Sequence, residues 1–428
     1  MRHPPAAWLP LALGWTPYLP LGLQYLVFLG CGVAAGRRLA AQQGLGQAAR
    51  HPLVLAAAAL WLWLLVSAAW SRAPAAAIVS HLWMYALPLL AALIAFAVPA
   101  PTARRALTHF VVASTLVALA ELVAAAGFWP GAAGARPIVD VLGNQRIAFS
   151  LLLALASALA AHAALQPASP RRRVLCALAA MICLAGVSWQ DRRTGMLAAP
   201  LLLAVLALVR QRNTWRHMAL LGLIALVALA IGLGSTNVRA RFDEGIAELQ
   251  AYRGSGEVTT SWGMRARMLE ITGRLVLEAP FVGHGVGSWV TEWRARVAGS
   301  AALEAHTTPH SEYLLLAMQG GLVAAALALR LWLLALRGIR RRGAAAQPAL
   351  LVLAAITWAG LFNVVLRDAK FAVALLGLAA LAWAAARAPA TPATPATPPP
   401  RRENRAPQRS RAALSGPPHR SDPPDPVR

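Results

Sequence analysis

The chain has 428 residues, 58% of them hydrophobic and 13% charged, with a mean hydropathy of +0.55 and a net charge of +24. A soluble fold of this length needs far more polar surface. The positive charge is no nucleic-acid footprint either, because it lies in clusters between apolar blocks and not in one stripe with interleaved aromatics. Those blocks are about as long as a bilayer-crossing helix, which implies an all-α, polytopic membrane protein.

In chain order, spans are expected at roughly 6–17, 19–36, 52–70, 74–98, 106–128, 147–166, 173–189, 194–210, 217–234, 310–336, 348–366 and 371–387, about twelve transmembrane helices. The first two are short because Pro20 and Gly22 divide one apolar run. That run continues into further spans, so no cleavable leader is expected. With a cytoplasmic N-terminus, fifteen arginines fall on cytoplasmic connections, among them Arg37, Arg38, Arg104, Arg105, Arg171, Arg172 and Arg173. The short outer connections carry seven cations: Arg72, Arg136, Arg146, Arg192, Arg193, Arg367 and Lys370. The positive-inside bias thus places both termini in the cytoplasm.

This divides the chain into spans one to nine over 1–234, a long outer loop over 235–309, the last three spans over 310–387, and a tail over 388–428. The tail, rich in Pro, Thr and Arg, is expected to be disordered and drawn to anionic lipid. Cys31, Cys176 and Cys183 all lie in apolar segments, where an odd number reads as packing and not as a disulfide or metal site.

Three outer features depart from the charge bias. The first is Gln190-Asp191-Arg192-Arg193-Thr194-Gly195, between two spans. Asp191 paired with one arginine, the other reaching to the interface, would also account for it. The second is an amphipathic helix over Trp262–Glu278, ended by Pro280. Met264, Met268, Ile271, Leu275 and Val276 give it an apolar, membrane-facing side, and Arg267, Glu270, Arg274 and Glu278 form a stripe of opposite charges. Arg265 has Met268 and Leu269 at i+3 and i+4, so unless an acid arrives from elsewhere it calls for an anion such as phosphate. Next comes Gly283-His284-Gly285-Val286-Gly287, a turn allowing close backbone approach, with Trp289 and Trp293 at interfacial depth.

The third feature is His306-Thr307-Thr308-Pro309-His310-Ser311 before the span at 310–336. Thr308 suits an N-cap and Pro309 the first helical position, placing His310 in the first turn. The helix dipole there favours a neutral imidazole and a nearby phosphate. A purely structural interfacial histidine is the alternative. Together the features describe a basic pocket with a neutral base beside it. With sixteen acidic residues and no Asp-x-Asp pair, neither a metal site nor a cofactor is expected, and arginines can stabilise a diphosphate leaving group themselves.

These residues resemble the O-antigen ligase and polymerase superfamily of bacterial envelope enzymes, most closely its lipopolysaccharide O-antigen ligases. The resemblance is carried by Arg193-Thr194-Gly195, Ser261-x-Gly263-x-Arg265-x-x-Met268, Glu278-Ala279-Pro280-Phe281-Val282-Gly283-x-Gly285-x-Gly287 and His310-Ser311-x-Tyr313-Leu314 followed by Gly320-Gly321-Leu322. The superfamily usually has Asn after the histidine, where this chain has Ser311. The resemblance implies a GT-C-like glycosyltransferase of the bacterial inner membrane with a periplasmic active site. Its reaction would be metal-independent, inverting transfer of O-antigen from undecaprenyl diphosphate to a hydroxyl of lipid A-core oligosaccharide. His310 would be the general base, with Arg265 and Arg193 on the diphosphate and Arg192, Arg267 and His306 in support. An O-antigen polymerase or a protein O-oligosaccharyltransferase would use the same donor. A lipid-linked sugar transporter would want an internal repeat and charged mid-membrane residues, and the spans are nearly free of charge apart from Glu121 and Arg330.

Overall fold

The computed structural model describes residues 8–128, 146–190, 192–210, 236–256 and 258–387. The expected span at 217–234, Asp191 and the tail over 388–428 lie outside the described residues. Thirteen described helices build and position the site. The bundle begins with α1 (Leu21–Ala41), α2 (Pro52–Ser67), α3 (Ala75–Ala97), α4 (Ala100–Ala125), α5 (Arg146–Ala164), α6 (Pro170–Gln190) and α7 (Arg193–Arg210). Three helices of the long loop follow: α8 (Thr236–Ser255), α9 (Ser261–Glu278) and α10 (Trp289–Arg296). The chain then returns to the bundle with α11 (Glu312–Arg341), α12 (Gln347–Phe362) and α13 (Ala369–Ala385). Among the described residues, seven helices are long and apolar enough to cross a membrane, and α7 and α13 are shorter apolar helices.

Residues expected to span at 6–17 do otherwise. Of those described, from 8 onward, only Leu9–Ala12 is α-helical, followed by a 3₁₀ turn at Thr16–Tyr18. Four helical residues rise about 6 Å, far short of an apolar core. Gly14 lies so close to α4 that an added Cβ would sit 2.2 Å from the Ala106 carbonyl oxygen, and the Tyr18 hydroxyl donates to Ser114 Oγ at 2.7 Å. This segment is a plug tucked against α4.

Helices α5 and α13 are apolar on all sides and accordingly central. From Ala148 to Ala160 every α5 residue is buried, as is nearly all of α13. The bundle's two ends differ in chemistry. At one, Arg104 Nε donates to the Ala385 carbonyl at 3.2 Å, Arg387 donates to the carbonyls of Phe96 and Val98, and Arg342 lies 4.1 Å from the Trp383 ring centroid. These contacts gather the ends of α3, α4, α11 and α13 with their basic residues. The opposite end, called the site end below, carries the loop helices.

At the site end α11 is broken. Gly321 has φ +64° and ψ −164°, so the helical hydrogen-bond ladder is interrupted across Gly320-Gly321. The carbonyls of Met318 and Gln319 instead accept from His284 N and Gly285 N, each at 2.9 Å. In return Leu322 N donates to the Pro280 carbonyl at 2.7 Å and Val323 N to that of Phe281 at 3.5 Å. Four backbone groups are thus satisfied by exchange between helix and loop, as an apolar setting demands. The glycines of the turn are left-handed, at +70° for Gly283, +92° for Gly285 and +80° for Gly287. They abut α11, Ser71 and the first turns of α3 respectively.

The α9 boundaries agree with expectation to within one residue, but its surroundings correct the reading. Its apolar side, Met268, Ile271 and Leu275, packs on Trp289, Trp293, Leu315 and Met318, not on lipid. Trp289 and Trp293, expected at interfacial depth, are instead 1% and 0% exposed, stacked with ring centroids 5.2 Å apart. Their indole N–H groups donate to Thr272 Oγ1 at 3.0 Å and to the Leu303 carbonyl at 2.8 Å, which lets both rings be buried. Apolar side chains left open on this unit include Leu277 and Phe281, 78% and 69% exposed.

Gly321→Ala is expected to lower stability by about 3 kcal/mol or more, from left-handed strain plus overlap. An added Cβ would lie 2.2 Å from the Phe281 carbonyl oxygen. A thermal melt of purified protein in detergent measures this, with Gly273→Ala as control because open space surrounds that position.

Candidate active site

Three chain segments converge at the site end. The first is the start of α9, where the Thr260 hydroxyl caps the helix by accepting from Gly263 N at 3.1 Å. From α8, Glu248 accepts from Trp262 N at 2.8 Å, so the acid nearest this turn is engaged with backbone. Arg265 emerges one turn later, half-buried, and among the described residues it has no hydrogen bond or ion pair. Its guanidinium is pulled below its ordinary pKa first by burial and then by the charge of Arg193, with Glu248 acting weakly the other way.

The second segment is Arg193-Thr194-Gly195 opening α7. Gly195 lets that helix meet α5 at Ser150, where a Cβ would lie 1.9 Å from the serine Oγ. The Thr194 carbonyl accepts from Trp358 Nε1 at 3.0 Å. So anchored, Arg193 places its guanidinium over Trp262, 5.4 Å from the ring centroid.

The third segment precedes α11 and differs from expectation. Ser311, not Thr308, is the N-cap, its hydroxyl accepting from Leu314 N at 3.5 Å. His310 therefore lies before the helix rather than in its first turn, in the left-handed region at φ +54°. A histidine held there is strained and persists only when its surroundings impose it. Its ring centroid is 6.2 Å from that of His306, edge to face. Burial, then the Arg265 charge, then His306 push the His310 pKa down to about 4. His306 is also lowered, by burial. At neutral pH His310 is an uncharged imidazole that feels the Arg265 guanidinium, which in turn feels Arg193, and it is able to take a proton.

The structure thus brings His310, Arg265, Arg193 and His306 together. Arg267 goes elsewhere: it pairs with Glu270 at 3.3 Å, alongside the Arg274–Glu270 pair at 2.6 Å and the Tyr252–Glu270 hydrogen bond. The expected charged stripe on α9 is this network, and it occupies Arg267. Arg192 gives its carbonyl to Met196 N at 3.1 Å.

A supporting network lies beyond what the sequence indicates. Buried Glu312, next to the N-cap, accepts from the Tyr85 hydroxyl and from Leu366 N, both at 2.9 Å. Glu312 N donates to the Asn363 carbonyl at 3.1 Å, and Arg367 Nε donates to His81 Nε2 at 3.1 Å. These bonds tie α3, α11 and the α12–α13 turn around the backbone that carries His310. An acid opening an apolar helix is the available signal for Glu312. Tyr85, within an apolar stretch, offers none.

Residues 176–329 match the family described as O-antigen ligase. That stretch runs from α6 into α11 and includes Arg193, Arg265, His306 and His310. No curated protein matches the chain.

Glu312→Gln keeps one acceptor oxygen and should cost about 1–3 kcal/mol for the donor it leaves unsatisfied. Glu312→Leu strips both buried donors and should prevent recovery of folded protein. Size-exclusion profiles and melts of the two variants test the ordering.

Proposed function

From a chain that carries an O-antigen ligase domain, we propose a glycosyltransferase that ligates O-antigen polysaccharide onto lipid A-core oligosaccharide at the periplasmic face of the bacterial inner membrane. The donor is polysaccharide on undecaprenyl diphosphate. The observation that carries the reading is the neutral His310 set beside Arg265, which lacks an ion-pair partner among the described residues, and Arg193.

His310 accepts the proton of the acceptor hydroxyl as its oxygen attacks the anomeric carbon of the first donor sugar. The bond from that carbon to the diphosphate oxygen breaks, and its electron pair leaves with undecaprenyl diphosphate. One displacement inverts the anomeric configuration. Arg265 and Arg193 meet the charge growing on the leaving group, an electrostatic role guanidinium fills without losing its own proton. Stacking on Trp262 fixes the direction of Arg193. A bound diphosphate also offsets the charge of Arg265 felt by His310, so the imidazole becomes more basic once substrate is present.

Purified protein offered lipid-linked O-antigen and lipid A-core, with EDTA present, should form a ligated ladder. Lengthening of the lipid-linked glycan instead would move the protein to the polymerases. His310→Ala should lose about 10²–10⁴-fold in rate, and Arg265→Ala about 10²–10³-fold. The folded pKa of His310 lies below the ordinary value, so the active neutral form survives as pH falls through 6.5 and is lost near 4. The acid limb of kcat/KM should therefore fall near pH 4, with that of kcat at higher pH. A kcat/KM limb at the ordinary histidine value would remove His310 as the free-enzyme base.

A further inference from the structure

A second cleft opens at the site end, away from His310. It encloses about 280 Å³ and is lined by Trp70, Arg72, Glu278, His284, Glu292 and Arg296. We propose that it is a subsite for a neutral pyranose unit of the glycan substrate. The proposal rests on the transferase reading only for what that glycan is joined to.

The charges argue for sugar over phosphate. Arg296 is already held by two carboxylates, Glu278 at 2.5 Å and Glu292 at 2.8 Å. An anion would have to displace one of them. A hydroxyl does not, because it can donate to a carboxylate lone pair and accept from a remaining guanidinium N–H at once. Arg72, exposed and without an ion pair among the described residues, supplies further donors at the rim. His284 Nε2 lies 2.9 Å from the Leu275 carbonyl, which places the proton on Nε2 and leaves Nδ1 as an acceptor. Trp70 donates to the Gly283 carbonyl at 3.2 Å, which fixes its indole as one wall, suited to the C–H face of a pyranose. Two arginines and two glutamates leave the cleft near neutrality.

The placement fits a polymer. Glu278 ends the helix on which Arg265 stands, thirteen residues earlier. At 1.5 Å per residue that is about 20 Å along α9. A saccharide whose reducing end sits at Arg265 must extend over several units to enter the cleft, as must an oligosaccharide presenting a hydroxyl at His310.

The test uses delipidated O-antigen polysaccharide and delipidated core oligosaccharide from the host lipopolysaccharide, with full-length protein in detergent. Saturation-transfer NMR measures binding, which needs no turnover, so an inactive preparation does not confuse the two readings. Either glycan should bind, the polysaccharide marking a donor subsite and the core an acceptor subsite. Arg72→Ala, at an exposed position, should weaken binding roughly tenfold through loss of a charge-assisted hydrogen bond. Glu278→Gln provides a second variant. In turnover, Arg72→Ala should raise KM for the glycan that binds while leaving kcat unchanged. Absence of binding by both glycans, binding indifferent to Arg72→Ala and Glu278→Gln, or displacement by inorganic pyrophosphate would each overturn the proposal.

Discussion

The structure depends on an exchange of backbone hydrogen bonds between a broken transmembrane helix and a glycine turn. Where α11 breaks at Gly321, the carbonyls of Met318 and Gln319 lose their helical donors. Groups like these, left bare in an apolar interior, cost several kcal/mol each. The turn after α9 supplies the missing donors and takes two amides in return. Gly283, Gly285 and Gly287 are favoured because each adopts φ > 0 and each touches another element, where a Cβ would collide at the first two and be tightly packed at the third. Loop and bundle are therefore one piece, fastened by main chain.

Everything catalytic hangs on that fastening. With the turn fixed, α9 lays Met268, Ile271 and Leu275 on the paired tryptophans and the first turns of α11. Its N-terminal end then meets the start of α7, bringing Arg265 to Arg193. The same stretch of α11 begins at Ser311 and Glu312, whose bonds to Leu314, Tyr85 and Leu366 impose the backbone geometry that His310 adopts. The histidine is thus aimed by a buried network on one side and by the loop helix on the other.

Much of this is legible in the sequence. Span length and hydropathy locate the seven described helices that are long and apolar enough to cross a membrane, and helical spacing finds α9 and its two faces. Unmatched charge singles out Arg265, while the left-handed turn can be read from its glycines. What is not legible depends on long-range packing. Period alone cannot say whether an apolar helix face meets lipid or protein, so the protein-filled surroundings of α9 and its tryptophans depart from expectation. Local capping preference favours Thr308-Pro309, but the pull of Asn363, Leu366 and Tyr85 on Glu312 starts the helix later. Likewise, α5 and α13 resemble any other Ala- and Leu-rich span, and only the fold reveals that they are enclosed.

The pairing of Arg193 with Arg265 has a consequence for how loop and bundle respond to substrate. Across the junction of α7 and α9 the charge of Arg193 acts against that of Arg265. On the proposed function, a diphosphate lying between them would turn that repulsion into two attractions. The leaving group is in that sense a temporary keystone. On that same proposal the carrier would keep its diphosphate charge after the sugar has gone, so the contacts that hold the donor would also have to let the spent carrier go.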